Sequence, residues 1–166
     1  MQKTFNIVLL EPEIPQNTGN IVRTCVCTGT KLHLIRPLGF EVTDKNLKRA
    51  GLDYWYKADI TYYDNYAEFL EKTAGGRYFF MTTKGKKRYS DESFKYEDYF
   101  IFGKESKGIP ETILAENYNS CLRVPMKKEL RSLNLANTVA LVAYEAFRQT
   151  DFEDFDFEGH LTSEME

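Results

Sequence analysis

Apolar residues along this chain fall in short, dense runs separated by polar stretches rich in turn formers. The runs at 5–10, 31–35, 60–63, 78–81, 99–102 and 121–124 are four to six residues long. That length and near-continuous apolar character predict strands buried on both faces, as in a parallel sheet. After the first run, Pro12 and Pro15 predict an extended loop. A helix should follow, capped by Asn17 or Thr18, carrying Ile21, Val22 and Cys25, and stopped at Gly29. Its first amides face the end of the first strand, a place that either binds an anion or is simply capped. Thr43 should cap a short helix through Lys45, Leu47, Lys48 and Arg49, ended by Gly51. Further helices are expected at 65–72, before Gly75 and Gly76, and at 110–114.

The last helix opens in the stretch Ser132-Leu133-Asn134-Leu135-Ala136-Asn137. Leu133, Ala136, Ala140, Ala143 and Phe147 form one helical stripe; Leu135, Val139, Val142 and Ala146 form another. A helix apolar over most of its circumference needs cover on two sides. The sheet supplies one, and a second copy of the chain is the expected other, giving a homodimer. Strands alternating with helices define an α/β fold with a mainly parallel sheet flanked by helices. Ligands of such sheets bind beyond the carboxyl ends of the strands.

Composition narrows the class. With 166 residues the chain suits one domain, expected at 1–150, followed by an acidic tail at 151–166. The formal charge of -3 is set by that tail, which holds seven of the 25 acids and no Lys or Arg. The remaining 18 acids face 22 basic residues, so the body carries +4. A mildly basic body fits a nucleic-acid partner, and the tail reads as a solvated, frayed terminus. No apolar run approaches 18 residues and no signal-peptide pattern opens the chain, so a cytoplasmic protein without a membrane span is expected. Cys25, Cys27 and Cys121 make neither a disulfide framework nor a metal-binding spacing, and no metal is expected.

Familiar catalytic motifs are missing. No Gly-Lys-Ser/Thr follows Gly108, so 103–108 is not a P-loop, and no dinucleotide fingerprint opens the first helix. Ser106 is not in a nucleophile elbow, and His33 lies inside a strand, where packing is the simpler role. Lys84, Lys86, Lys87 and Arg88 crowd a loop after the fourth run, suited to RNA phosphates or to plain solvation. Tyr54, Trp55 and Tyr56 beside Lys57 either stack on bases or form a packed surface loop.

Three blocks carry a resemblance. They are Pro15-Gln16-Asn17-Thr18-Gly19-Asn20-Ile21-Val22-Arg23, then Phe102-Gly103-Lys104-Glu105-Ser106-Lys107-Gly108-Ile109-Pro110, then Arg123-Val124-Pro125-Met126 with Arg131-Ser132-Leu133-Asn134-Leu135-Ala136-Asn137. Together they resemble the SPOUT class of RNA methyltransferases, whose fold has a trefoil knot near the carboxyl end. Glu11-Pro12-Glu13-Ile14-Pro15, Arg49-Ala50-Gly51-Leu52-Asp53-Tyr54 and Thr82-Thr83-Lys84-Gly85 are similar to the stand-alone tRNA 2'-O-methyltransferases. Those act on the wobble cytidine or uridine, nucleotide 34, of leucine tRNAs.

The resemblance implies S-adenosylmethionine as cofactor, tRNA as substrate and a homodimer. It implies a cofactor site at Met81, Thr82, Gly103, Glu105, Val124, Met126, Ser132, Leu133, Asn134 and Asn137. The family's catalytic arginine maps onto Arg23, with Asn17 beside it and Ser132 helping to place the ribose hydroxyl. Lys84, Lys86, Lys87, Arg88 and Tyr144 are the expected RNA contacts. Methylation at another tRNA or rRNA position, or an idle RNA-binding module of the same fold, are the alternatives.

Overall fold

The computed structural model describes residues 3–43, 45 and 54–162. A seven-stranded, wholly parallel sheet forms its centre: β1 (Asn6–Leu10), β2 (Lys31–Ile35), β3 (Ile60–Tyr63), β4 (Tyr78–Met81), β5 (Lys87–Arg88), β6 (Tyr99–Phe102) and β7 (Cys121–Arg123). The spatial order is β3-β2-β1-β6-β4-β7-β5. Among the described residues, helices α1 (Pro15–Thr28), α2 (Tyr66–Lys72), α3 (Glu111–Glu116) and α4 (Leu135–Gln149) flank it. The expected α/β architecture is what the chain adopts.

Side-chain alternation divides the core. Ile7, Leu9, Leu32, Leu34, Phe100 and Phe102 point to the face covered by α1 and α4. Val8, Leu10, Ile35, Phe80 and Ile101 point to the other, with Phe69 of α2 and Leu114 of α3. A central strand therefore buries every residue, which explains its unbroken apolar sequence. On α4, Val139, Val142, Ala143 and Ala146 are fully buried while Leu141 and Tyr144 stay 44% and 45% exposed. The helix is apolar beyond the face that the sheet covers.

Four expectations are corrected. Helix α1 begins at Pro15, so Asn17 and Thr18 lie in its first turn and neither caps it. Proline at the first helical position loses no hydrogen bond, since that amide has no intrahelical partner anyway. Lys87 and Arg88 are not loop but an edge strand, pairing with Leu122 and Arg123. The final helix starts at Leu135, capped by the Asn134 side chain accepting from the Asn137 amide at 3.2 Å, so Ser132 and Leu133 stay in the preceding loop. The start of the tail is packed rather than frayed: Phe155 lies 4.8 Å from the Phe147 ring, and Phe152 also joins the core. The short helix expected from Thr43 falls largely outside the described residues.

His33 is a core residue, as its strand position suggested. Its Nε2 lies 3.0 Å from Asn6 Oδ1 and its Nδ1 2.8 Å from the Tyr63 hydroxyl. The Asn6 amide nitrogen donates to the Glu97 and Asp98 carbonyls, so its Oδ1 accepts and His33 Nε2 carries the proton. Burial pushes the His33 pKa down to about 4. The unfolded chain therefore binds the extra proton first as pH falls below the usual value of 6.5. Stability present at neutral pH should fall by about 3 kcal/mol by pH 4. Urea melts across this range should show the loss, and His33→Gln should remove it.

Candidate cofactor and RNA site

The carboxyl ends of β1, β4, β6 and β7 all open on one edge of the sheet. The segments leaving β4, β6 and β7 enclose a cavity of about 450 Å³, bordered by the start of α1. Met81 and Thr82 leave β4; Gly103 and Glu105 leave β6; Val124, Met126, Ser132, Leu133 and Asn134 follow β7; Asn17 comes from α1. Nine of the ten expected cofactor residues thus line one space. Asn137 is the exception, acting instead through its amide on the Asn134 cap. The walls combine apolar edges with backbone and amide groups, a composition suited to an uncharged nucleoside with a small cationic centre.

Gly103 sits where two stretches of backbone meet. A Cβ there would lie 2.1 Å from the Gly108 carbonyl carbon and 2.2 Å from the Ile109 nitrogen. Lys104 pairs with Gly108, whose φ of 68° is the left-handed conformation that glycine adopts without strain. The fold of this loop thus depends on a glycine at each end.

The loops after β1 and β6 hold each other through carboxylates. Glu105 accepts from the Glu13 amide at 2.8 Å, the Ile14 amide at 3.1 Å and the Asn17 side chain at 3.3 Å. Glu13 returns the arrangement, accepting from the Ser106 amide at 3.0 Å and hydroxyl at 2.9 Å. Those two bonds hold the Glu13 carboxyl below its ordinary pKa. Lys104 adds an ion pair to Glu11 at 2.8 Å. An intramolecular carboxylate therefore lies at the positive end of α1, the place that the sequence left open between an anion site and simple capping. The chain of contacts continues from Asn17 Oδ1, which accepts from Asn134 Nδ2 at 3.0 Å.

Sequence reasoning gave Glu105 a cofactor contact and missed its bond to α1, because only the fold brings residues 88–92 positions apart together. Glu105→Ala should remove three hydrogen bonds and destabilise the chain by about 2 kcal/mol. Glu105→Gln, which keeps an acceptor, should lose less in the same urea titration.

Of the remaining expected residues, all but Lys84 lie away from the cavity. Arg23 is exposed on α1, six residues beyond Asn17, or about 9 Å along the axis. Its guanidinium carbon sits 4.9 Å from the Tyr54 ring centroid. Lys84 reaches the cavity rim and pairs with Glu111. Lys87 pairs with Glu92 at 3.6 Å, and Arg88 binds both oxygens of Asp91 at 2.7 and 2.8 Å. Lys86 lies 5.4 Å from the Tyr118 ring centroid. Tyr144 is on the open side of α4, its ring 6.4 Å from those of Phe152 and Phe155. Lys107 and Arg131 also line the cavity; both stood within the quoted blocks, but nothing local distinguished them. Among the described residues no cluster of His, Cys, Asp and Glu could hold a metal ion. Nor is any described helix long and apolar enough to cross a membrane.

A parallel sheet whose glycine, proline and serine loops close one cavity at their carboxyl ends defines a class: the chain belongs to the SpoU rRNA methylase family, matched over residues 4–144. Within it, relatives with a narrower description are close. The tRNA (cytidine(34)-2'-O)-methyltransferase of Methylovorus glucosotrophus (strain SIP3-4) is 50% identical over 149 residues, covering 89% of this chain and 97% of its own. The Yersinia pestis protein of the same name is 49% identical over 154 residues, covering 89% and 95%. A solved structure described as "Structural insights into the 2-OH methylation of C/U34 on tRNA" superposes with a TM-score of 0.84. It is 45% identical, with 91% of this chain and 93% of that one covered.

Proposed function

We propose that this chain transfers a methyl group from S-adenosylmethionine to the 2'-oxygen of nucleotide 34, cytidine or uridine, of tRNA. The observation that carries the reading is the cavity that Met81, Gly103, Val124, Ser132 and Leu133 line together, in a chain half identical to enzymes named for this reaction. When bound, the cofactor supplies an electrophilic methyl group on a sulfonium. The protein's task is to place the ribose hydroxyl in line with it, since positioning supplies most of the acceleration in such transfers.

Main-chain groups around Gly103 and Val124 hold the adenosyl part in this reading, and Ser132 and Asn134 border the reacting end. Arg23 remains a cation throughout, because a guanidinium does not deprotonate in proteins. It orients the ribose and its phosphate and stabilises the oxyanion that forms as the 2'-hydroxyl gives its proton to water ahead of methyl transfer. Lys84, Lys86, Lys87, Arg88 and Tyr144 extend the RNA surface. Leucine tRNAs are the proposed substrates, the cytoplasm the site of action, and the trefoil knot the device that fixes the cavity loops.

The homodimer is part of this proposal. Leu141 and Tyr144 on α4 and Leu133 before it are each more than 40% exposed. Helix α1, packed against α4, carries Arg23 outside its own chain's cavity. A second copy over this surface covers the apolar groups and brings an arginine toward the cavity mouth. Light scattering at micromolar concentration should return twice the 19.4 kDa chain mass; a monomer mass sinks the dimer.

The test of function is methyl transfer from labelled cofactor to bulk tRNA, followed by mapping of the modified nucleotide. Label at ribose 34 is the expected result. Label at another position would move the substrate while keeping the chemistry, and no transfer with tight RNA binding would favour the idle module.

A further inference from the structure

The aromatic run beside Lys57 is a sequence feature that the cavity does not absorb. Tyr54 is half-buried, with its ring packed against the core that α1 and α4 share with the sheet. Its neighbour Trp55 is 8% exposed and begins a 3-10 turn, Trp55–Lys57, that packs on α1. The Tyr54 ring is thus anchored from behind. Two cations lie on it: the Arg23 guanidinium carbon at 4.9 Å and the Lys57 ammonium at 5.8 Å from the centroid.

Three of the four cations expected to meet RNA near β5 stand in contrast. Lys84, Lys87 and Arg88 each meet a carboxylate, so an RNA phosphate must first displace Glu111, Glu92 or Asp91. Among the described residues Arg23 and Lys57 form no ion pair. Their partner is a neutral ring, which attracts a cation through its quadrupole and leaves the charge uncompensated. No hydrogen bond from the Arg23 guanidinium is present among the described residues, so its N–H donors remain for a second ligand.

We propose that Tyr54 is a positioning residue for Arg23, and that Tyr54, Arg23 and Lys57 together receive a backbone phosphate next to the target ribose. The inference rests on the reading of the chain as an RNA ribose methyltransferase. The ring acts through Arg23: it narrows the directions of a long side chain that would otherwise sample many rotamers. Lys57 acts by charge alone. Arg23 lies outside its own chain's cavity, so in the proposed dimer the phosphate that it receives lies at the mouth of the second copy's cavity.

The experiment compares Tyr54→Phe, which keeps the π face, with Tyr54→Leu, which keeps bulk and loses it. Methyl transfer to tRNA is measured under saturating conditions, and S-adenosylmethionine affinity by calorimetry. Tyr54→Phe should stay within about twofold of wild type, whereas Tyr54→Leu should lose about tenfold in kcat with cofactor Kd unchanged. Adding Tyr54→Leu to Arg23→Ala should cost nothing further, as expected when one residue works through the other. Wild-type kcat in Tyr54→Leu, equal losses in both variants, or a fully additive double variant would each overturn the positioning role.

Lys57 is exposed, so Lys57→Gln tests the phosphate without disturbing the core. It should raise the tRNA KM about threefold and flatten the salt dependence by about one phosphate contact. An unchanged KM and salt slope would remove the phosphate from the proposal. A wild-type protein inert toward every tRNA would instead sink the functional reading beneath it.

Discussion

Arg23→Ala should leave S-adenosylmethionine affinity within about twofold of wild type and slow methyl transfer at least about 100-fold. The two halves of this expectation have separate origins. Arg23 is not a wall of its own chain's cavity, so its truncation removes no cofactor contact there. The loss in turnover reflects charge: the ribose hydroxyl must release its proton to water before or as it attacks, and the negative charge left on its oxygen, until the new bond to the methyl group consumes it, must be met by a fixed donor. One such donor contributes roughly 3–4 kcal/mol to the barrier. Arg23→Lys keeps the charge without the planar fork and should fall between. Calorimetry and single-turnover transfer to tRNA separate the two halves, and near-normal turnover in Arg23→Ala would rule the role out.

Gly103→Ala should have the other large effect, of the opposite kind. The added methyl would meet Gly108 and Ile109 backbone atoms between 2.1 and 2.6 Å away, and backbone cannot rotate aside as a side chain can. The loop must open, and the cavity with it. Cofactor affinity should drop by about 100-fold or more, with a stability loss of about 3 kcal/mol. Gly159→Ala is the control, because a Cβ there meets nothing within 4 Å. Thermal melts with and without cofactor measure both quantities; a cofactor-induced shift equal to wild type would contradict the loop geometry.

Most of the fold was legible because buried parallel strands leave an unmistakable trace. Lys31–Ile35, Ile60–Tyr63, Tyr78–Met81 and Tyr99–Phe102 are strands at the bounds their apolar runs suggested. Elements without such a trace were misread. Lys87–Arg88 is a two-residue edge strand with both side chains exposed, so its sequence is that of a loop. Phe152 and Phe155 lie among acids whose solvation dominates the composition, although their rings reach Tyr144 and Phe147. The cavity was legible through motif blocks rather than through periodicity. Two partners were not: Glu105 accepts from Asn17 of α1, and Tyr54 packs on Arg23 across 31 positions. Such contacts depend on which strands lie side by side, and no local pattern encodes that.

The exchange of carboxylates between the segments after β1 and β6 has a bearing on protein engineering. Glu11, Glu13 and Glu105 on one side of each bond, and Lys104, Ser106 and the Glu13 and Ile14 amides on the other, form a lock with keys on both halves. Exchanging either segment alone strands a carboxylate without its donors. Anyone grafting this pocket onto a new scaffold must transplant the two segments as a matched set.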